Sequence, residues 1–380
     1  MIYLDYAAST PMSDQALDVF VSTSKRFYGN SMSLHDMGSE ASHLLAHCRK
    51  EVATRLSGEE RGVVFTSGGS ESNWLAIYGL AMGNRSKGQH ILVGSGAHGS
   101  VKSAVEWLMN LGFRVDEIPT NSKGQINSAQ LAPLIKPDTI LVILAHVNSE
   151  FGFIVDIEKV GTFLEEKGIL FHVDAVQSFG KLPINLEHSR LSSLSFSSHK
   201  IYGPKGVGGL YVNPRLQFEP FQPSVSQEFG LRQGTVNVPG IAAFTEAMGF
   251  SFEKLDTNFE HVKHLKSHFL DQIRKRALPI VCESLLEITS PYILALRVLG
   301  LEGQWVMLEA NRRGVAVSTG SACTVHDQKP SYLLLGMGRS LNESREVVRL
   351  SFGTPTTIEE IDQVVNIFED IIIKQKKLGV

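Results

Sequence analysis

Six short stretches of this 380-residue chain place chemically able side chains among small, polar neighbours. Ser197-Ser198-His199-Lys200 sets a lysine behind two hydroxyls and an imidazole, ahead of a Gly/Pro run ending at Gly206. An amine held between rigid elements and partly desolvated is a nucleophile toward carbonyl carbon. Ser67-Gly-Gly69-Ser70 precedes an apolar helical pattern, the arrangement in which backbone N–H groups receive an anion. Asp174, with Gln177 one turn on, supplies a carboxylate and an amide; His98 and Asn148 add an imidazole and a second amide. Cys323 stands in Val317-Ser-Thr-Gly-Ser-Ala-Cys-Thr-Val-His326, where small residues leave a thiol accessible. Taken singly, each has a plainer account. Lys200 could be a loop lysine, Ser70 a helix N-cap, His98 a solvated histidine and Asp174 a cap for the following helix.

The elements around them argue for convergence. Residues 63–65, 90–93, 113–118, 139–144 and 169–173 read as strands. They alternate with helical patterns over 72–81, 100–111 and 157–166, and strands near 194–197 and 207–212 follow. That alternation predicts a parallel sheet covered by helices. Helices are also expected over 14–26 and 39–56, and a long helical region from 240 to about 276. The remainder mixes strands (279–282, 293–298, 315–318, 347–351) with helices (303–311, 358–374), as in a smaller α+β domain. In open α/β sheets ligands lie beyond the carboxyl ends of the strands, and all of these stretches but that of Cys323 fall at those ends.

Collected there, they form an anion cradle, an aromatic lid, an amide, a carboxylate and a lysine. Pyridoxal 5'-phosphate requires such a set: a lysine for its aldehyde, a carboxylate for its pyridine nitrogen, and amides and hydroxyls for its phosphate. An ordinary Asp is ionised at neutral pH and can serve that nitrogen. A competing reading uses Gly94-Ser-Gly-Ala-His-Gly99, a G-x-G-x-x-G after a strand, with Asp116 and Glu117 closing the next strand. It describes an NAD-dependent dehydrogenase and leaves Asp174, Lys200 and Cys323 without work.

Bulk properties narrow the field. The length predicts two domains. A net charge of -3 gives no reason to expect nucleic acid or an anionic membrane. No apolar run reaches the ~18 residues of a membrane span, no signal segment opens the chain, and a cytoplasmic location is expected. Cys48, Cys282 and Cys323 are too few and scattered for disulfides or a Cys-x-x-Cys metal site. Cys48 is expected as a helix filler and Cys282 as a buried inert thiol.

The chain resembles the NifS-like cysteine desulfurases of the class V aminotransferase group over nearly its whole length. The resemblance rests on Tyr3-Leu-Asp-Tyr-Ala-Ala-Ser-Thr-Pro11, Phe65-Thr-Ser-Gly-Gly-Ser-Glu-Ser-Asn73, His146-Val-Asn-Ser-Glu-Phe-Gly152 and His172-Val-Asp-Ala-Val-Gln177. Ser198-His-Lys-Ile-Tyr-Gly-Pro-Lys-Gly206, Arg232-Gln-Gly-Thr235, Gly320-Ser-Ala-Cys323 and Arg349-Leu-Ser-Phe-Gly353 complete it. It implies an α/β fold of the aspartate aminotransferase kind: a large domain (14–250) with a mostly parallel seven-stranded sheet, and a small α+β domain (1–13 and 251–380) bearing a mobile cysteine loop. It also implies that Lys200 binds pyridoxal 5'-phosphate covalently, Asp174 pairs with the ring nitrogen, and His98 stacks on the ring. Gln177 and Asn148 would contact ring substituents and substrate; Gly69, Ser70, Ser197, Ser198 and His199 would serve the phosphate, and Thr235 would come from the partner of a homodimer. Arg349 would grip the carboxylate of L-cysteine. Lys200 would remove the α-proton, Cys323 would take the sulfur as a persulfide with release of L-alanine, and His98 or the substrate would help to ionise the thiol. An acceptor or iron–sulfur scaffold protein would receive the sulfur, with any iron–sulfur contact at Cys323 only transient and no resident metal. An aminotransferase and a selenocysteine lyase are the alternatives within the group. Ser149, Ala97 and Ser224-Val-Ser226 depart from the family pattern, where Asn, Glu and a glycine-rich stretch are usual.

Overall fold

Apolar runs bounded by Gly, Ser or Asp form the strands of the central sheet, and the helices between them return the chain across its faces. In a computed structural model, residues 1–223, 226–284, 287–320 and 332–378 are described. The first half runs β1 (Ile2–Tyr3), α1 (Asp14–Arg26), α2 (Asp36–Leu56), β2 (Val63–Thr66), α3 (Gly69–Gly83), β3 (His90–Gly94), α4 (Gly99–Asn110), β4 (Arg114–Ile118), α5 (Ser128–Leu131) and β5 (Thr139–Ala145). There follow α6 (Ile157–Glu165), β6 (Leu170–Asp174), α7 (Leu186–Ser189), β7 (Ser193–Ser197), β8 (Gly208–Val212), α8 (Val238–Glu253) and α9 (Leu255–Lys275). The chain ends with β9 (Ile280–Cys282), β10 (Ile293–Val298), α10 (Gly303–Arg312), β11 (Val315–Ala316), α11 (Tyr332–Gly336), α12 (Leu341–Arg345), β12 (Val347–Ser351) and α13 (Ile358–Leu378).

The large sheet has seven strands in the order β2-β8-β7-β6-β5-β3-β4. Only β8 runs against its neighbours β2 and β7; the other pairs are parallel. β5, Thr-Ile-Leu-Val-Ile-Leu-Ala, is apolar from Ile140 onward because helices cover both faces. From β3 the chain moves to β4 on one side and then returns to β5 on the other, so strand order reverses between β3 and β5. The crevice at that reversal is where open α/β sheets bind ligands.

The alternation in β7 has a cause that sequence periodicity left hidden. All five of its residues are buried, not only Leu194 and Phe196. Phe196 stacks on Phe179 with ring centroids 4.4 Å apart, in the apolar core shared with Phe244. Ser193 and Ser195 are equally buried and hydrogen-bond to His172 and Asn73, so their polar face packs against other polar groups, not water.

A second core gathers Leu4 of the N-terminal segment with Val262, Phe269, Leu294, Leu350 and Phe368 from the elements after α8. It is built on the antiparallel sheet β12-β10-β9 with α9 and α13 packed together, and β1 pairs with β11 in parallel. α8 instead packs on α1 and α2, and the direction of the helical region changes at Lys254. The two thiols differ here: Cys48 is buried as expected, whereas Cys282 is only half-buried and donates to Ser284 O. Burial pushes both thiols above their ordinary range. No described helix is long and apolar enough to cross a membrane.

Candidate active site

At the carboxyl ends of β3, β5, β6 and β7 lies a cavity of about 270 Å³, lined by Gly69, Ser70, His98, Asp174, Gln177, Ser197, His199 and Lys200, with Ala8, Asn73, Gly96, Ser100, Ala145, Val147, Ser149 and Val176. Residues 100 positions apart thus share one space, and Asp174 and Lys200 are both on its wall.

The cradle at the head of α3 follows from glycine chemistry. Gly68 is the N-cap with φ 154° and ψ 179°, a conformation essentially restricted to glycine, and no side chain caps the helix. The first-turn N–H groups are therefore left for an outside acceptor. A Cβ on Gly69 would approach Val176 Cγ2 to 2.4 Å. Ser70 is thus one residue inside the helix, and its reading as an N-cap is corrected. Ser197 Oγ, buried across from this turn, has no hydrogen-bond partner among the described residues.

α4 differs at its own head. His98 is its N-cap, and its Nδ1 accepts from the backbone N–H of Ser100 at 3.2 Å and hydrogen-bonds Ser100 Oγ at 2.8 Å. The histidine thus occupies the helix terminus that a pyrophosphate would need. Asp116, which a dinucleotide site would use for ribose, is held by Lys136 at 2.6 Å and by His90 at 3.2 Å. The Gly94–Gly99 turn is a histidine-presenting turn, not a dinucleotide cradle.

Asp174 is buried at the end of β6. Its Oδ1 accepts from Val176 N at 3.0 Å and its Oδ2 from Asn73 Nδ2 at 2.8 Å. Both partners are neutral, and no described residue forms an ion pair with it. Gln177 donates through Nε2 to Ala7 O at 2.9 Å, while its buried Oε1 has no partner among the described residues. Lys200 Nζ donates to Ala7 O at 2.5 Å and Ala8 O at 2.8 Å, so the N-terminal segment aims the amine. His199 meets Ser9 Oγ at 3.2 Å; burial, with Lys200, Lys205 and Lys181 nearby, pushes its imidazole down to about 4.

Other expected residues lie apart from this wall. Ser198 is fully buried with its Oγ partnerless beneath the Lys200 turn. Asn148 shapes its own loop: Oδ1 accepts from Glu150 N and Phe151 N, and Nδ2 reaches Gly96 O at 3.3 Å. Arg349, 2% exposed, gives Nη2 to Asp5 Oδ1 at 2.8 Å and Nη1 to Ser149 O at 2.9 Å; its Nε has no partner among the described residues. Thr235 is exposed and away from the cavity, and Cys323 lies outside the described residues.

Sequence reasoning missed Asn73, Ser100, Lys181 and the carbonyls of Ala7 and Ala8. One signal was available: Gly69, Ser72, Asn73 and Ala76, at helical spacing, are the buried face of α3. A polar Asn on such a face needs buried partners.

Comparison with known proteins shows the family of the chain. The aminotransferase class-V family model matches residues 2–364. A putative cysteine desulfurase NifS of Bacillus subtilis is 42% identical over 382 residues, covering 99% of this chain and 96% of the relative. A cysteine desulfurase IscS of Dictyoglomus turgidum is 32% identical, covering 100% and 96%. Among solved structures, a NifS-like protein superposes with a TM-score of 0.90 at 30% identity, covering 97% of this chain and 98% of that one. The structure described as SspA in complex with cysteine gives 0.83 at 30% identity, covering 94% and 100%. The chain therefore belongs to the aminotransferase class-V family, among its NifS-like cysteine desulfurases.

Proposed function

We propose that this cysteine desulfurase works with pyridoxal 5'-phosphate, takes sulfur from L-cysteine, releases L-alanine and holds the sulfur on Cys323 for an acceptor protein, an iron–sulfur scaffold being the natural client. The observation that carries the reading is the meeting of Lys200 and Asp174 on one cavity beside an uncapped helix terminus.

The residues fit the cofactor. Asp174 is a buried carboxylate with two neutral donors, and a protonated ring nitrogen is the cation it lacks. Ser197 Oγ and the first-turn amides of α3 would take the phosphate, with Ser70 and His199 around it. Gln177 Oε1, buried and partnerless, would receive a ring substituent. His98 would cover the ring face. When bound, pyridoxal phosphate supplies an aldehyde that condenses with amines and a ring that delocalises electrons released at the α-carbon.

The chain's own groups then divide the work. Lys200, aimed by the carbonyls of Ala7 and Ala8, removes the α-proton of the substrate. Arg349 takes the substrate carboxylate by exchanging its bond to Asp5, with Asn148 beside it. Cys323, as thiolate, attacks the substrate sulfur; an S–S bond forms as the C–S bond breaks, and the electron pair stays with carbon, which takes up a proton as alanine. Thr235, exposed at the end of a loop tied down by the Arg232–Glu71 bridge at 3.0 Å, would reach a partner's phosphate site in a homodimer. The small domain, 1–13 and 251–380, would carry the cysteine loop, and a cytoplasmic location fits the iron–sulfur role.

Borohydride reduction of the loaded protein followed by peptide mapping is expected to place the cofactor on Lys200, and Lys200→Ala to abolish that adduct. Incubation with L-cysteine is expected to yield alanine and a persulfide at Cys323; Cys323→Ala keeps the bound cofactor and loses both products. Amino transfer to pyruvate without alanine from cysteine would refute the assignment.

A further inference from the structure

The polar groups on and behind the cavity wall form one branched hydrogen-bond network whose hub is Asn73, 1% exposed in the second turn of α3. Its Nδ2 donates to Asp174 Oδ2 at 2.8 Å and to Ser100 Oγ at 3.0 Å. Its Oδ1 accepts from His172 Nε2 at 3.1 Å and from Ser195 Oγ. An amide offers two N–H donors and two acceptor lone pairs, and all four are used. The reverse amide orientation would turn its oxygen onto the Asp174 carboxylate, so the direction of every bond follows.

His172 must carry its proton on Nε2, and its Nδ1 accepts from Ser193 Oγ at 2.7 Å. Full burial pushes this ring down to about 3, so it is neutral in the chain. Ser100 Oγ, receiving Asn73 Nδ2–H, turns its own proton toward His98 Nδ1 at 2.8 Å. The backbone N–H of Ser100 points at the same nitrogen at 3.2 Å. Two donors on Nδ1 leave the neutral ring's proton on Nε2.

We infer that Asn73 is a positioning residue that orders the protons of the site: it holds Asp174 as a pure acceptor and, through Ser100, fixes His98 as the Nε2–H tautomer. His98 then enters the reaction as a proton donor at Nε2. It cannot take the Cys323 proton there without first losing its own, so ionisation of that thiol falls to another group, the bound substrate amine being the base at hand. This rests on the cofactor reading for the role of Asp174 but not for the tautomer of His98.

The test separates the two. In cofactor-free protein labelled with ¹⁵N-histidine, His98, assigned by comparison with His98→Gln, is expected to show a protonated Nε2 and an unprotonated Nδ1. Asn73→Asp keeps the shape but offers only acceptors. Ser100 Oγ–H then turns to residue 73, and His98 populates both tautomers. Ser100→Ala gives the same mixing while sparing Asp174's amide donor, and serves if Asn73→Asp fails to fold. In the loaded protein Asn73→Asp weakens cofactor affinity at least tenfold and shifts the pH at which cofactor absorbance changes; Ser100→Ala has the smaller effect on both. A proton on Nδ1 in the parent protein, or both variants matching the parent in tautomer, overturns the inference. Failure to trap the cofactor on Lys200, with the His98 tautomer as expected, would sink the cofactor reading alone.

Discussion

Replacing Glu228 by alanine probes the segment that leads to Thr235. The Glu228 side chain is 1% exposed and that of Arg49 10%. The carboxylate accepts from Arg49 Nη1 at 2.9 Å, Arg49 Nη2 at 2.7 Å and Phe65 N at 2.7 Å. The guanidinium also lies over the rings of Phe65 and Phe229, 5.0 and 4.7 Å from their centroids. Glu228 and Phe229 hold φ of 46° and 56°, a left-handed conformation costly for side-chain residues, which this contact set keeps in place. Removing the carboxylate strands a buried guanidinium, at about 3–5 kcal/mol. It also leaves the Phe65 N–H partnerless, at about 1–3 kcal/mol. The two overlap, because relaxation at one site relieves the other, and alanine inherits the positive φ, so a loss of about 3–6 kcal/mol is expected. At roughly 2–4 °C per kcal/mol for a domain of this size, the melting temperature falls by about 6–24 °C. The double variant Arg49→Met/Glu228→Met removes both charges and refills the volume, and is expected to lose at least about 2 kcal/mol less than Glu228→Ala. Urea unfolding at pH 7 of the parent, Glu228→Ala, Arg49→Met, Glu228→Met and the double variant measures the coupling. Because Phe65 lies on the strand that feeds the α3 cradle, cofactor affinity should fall with Glu228→Ala as well. A loss under about 1 kcal/mol, or a double variant less stable than the single one, would show that the pair is not what holds this segment.

Three further outcomes follow from buried titratable groups and from the thiol. Burial pushes His146 down to about 4, His172 to about 3 and His199 to about 4. The unfolded chain binds protons at these sites from about pH 6.5 downward, so stability present above that pH is lost as pH falls toward 4; unfolding at stepped pH should show the slope, reduced in His199→Gln. Lys181, buried over the Tyr292 ring, is pushed down to about 7 by burial and by the charge of Lys200. With an unfolded value near 10.4, stability rises with pH between about 7 and 10. Lys181→Met should therefore gain most over the parent at pH 6 and least at pH 10 in cofactor-free protein, and equal gains at both would contradict this. Cys323→Ser should leave the cofactor spectrum unchanged and lower alanine production from L-cysteine by at least a hundredfold, read by alanine quantification.

What could be read from the chain and what could not divide along a physical line. Lys200, Asp174, His98 and the Ser67–Ser70 turn announce themselves locally, since each closes an apolar run at the point where a strand must end. The parallel sheet follows from the same alternation. The groups that orient them do not, because Asn73 meets Asp174 across 101 residues, His172 across 99 and Ser195 across 122. Ser195 in particular reads as the wet face of a strand until α3 is seen to bring an amide against it. Arg349 shows the opposite error: its bidentate chemistry is legible, yet its present partners, Asp5 and the Ser149 carbonyl, belong to segments that no spacing rule connects. The unread part has its own logic. Had the fold paired Asp174 with a lysine or arginine, its charge would be spent inside the protein and a ligand's ring nitrogen would meet a neutral site. Holding it with Asn73 and one backbone N–H fixes its direction and leaves its charge to the ligand, and a shell of neutral donors has no sequence signature because any buried Asn or Ser can supply it.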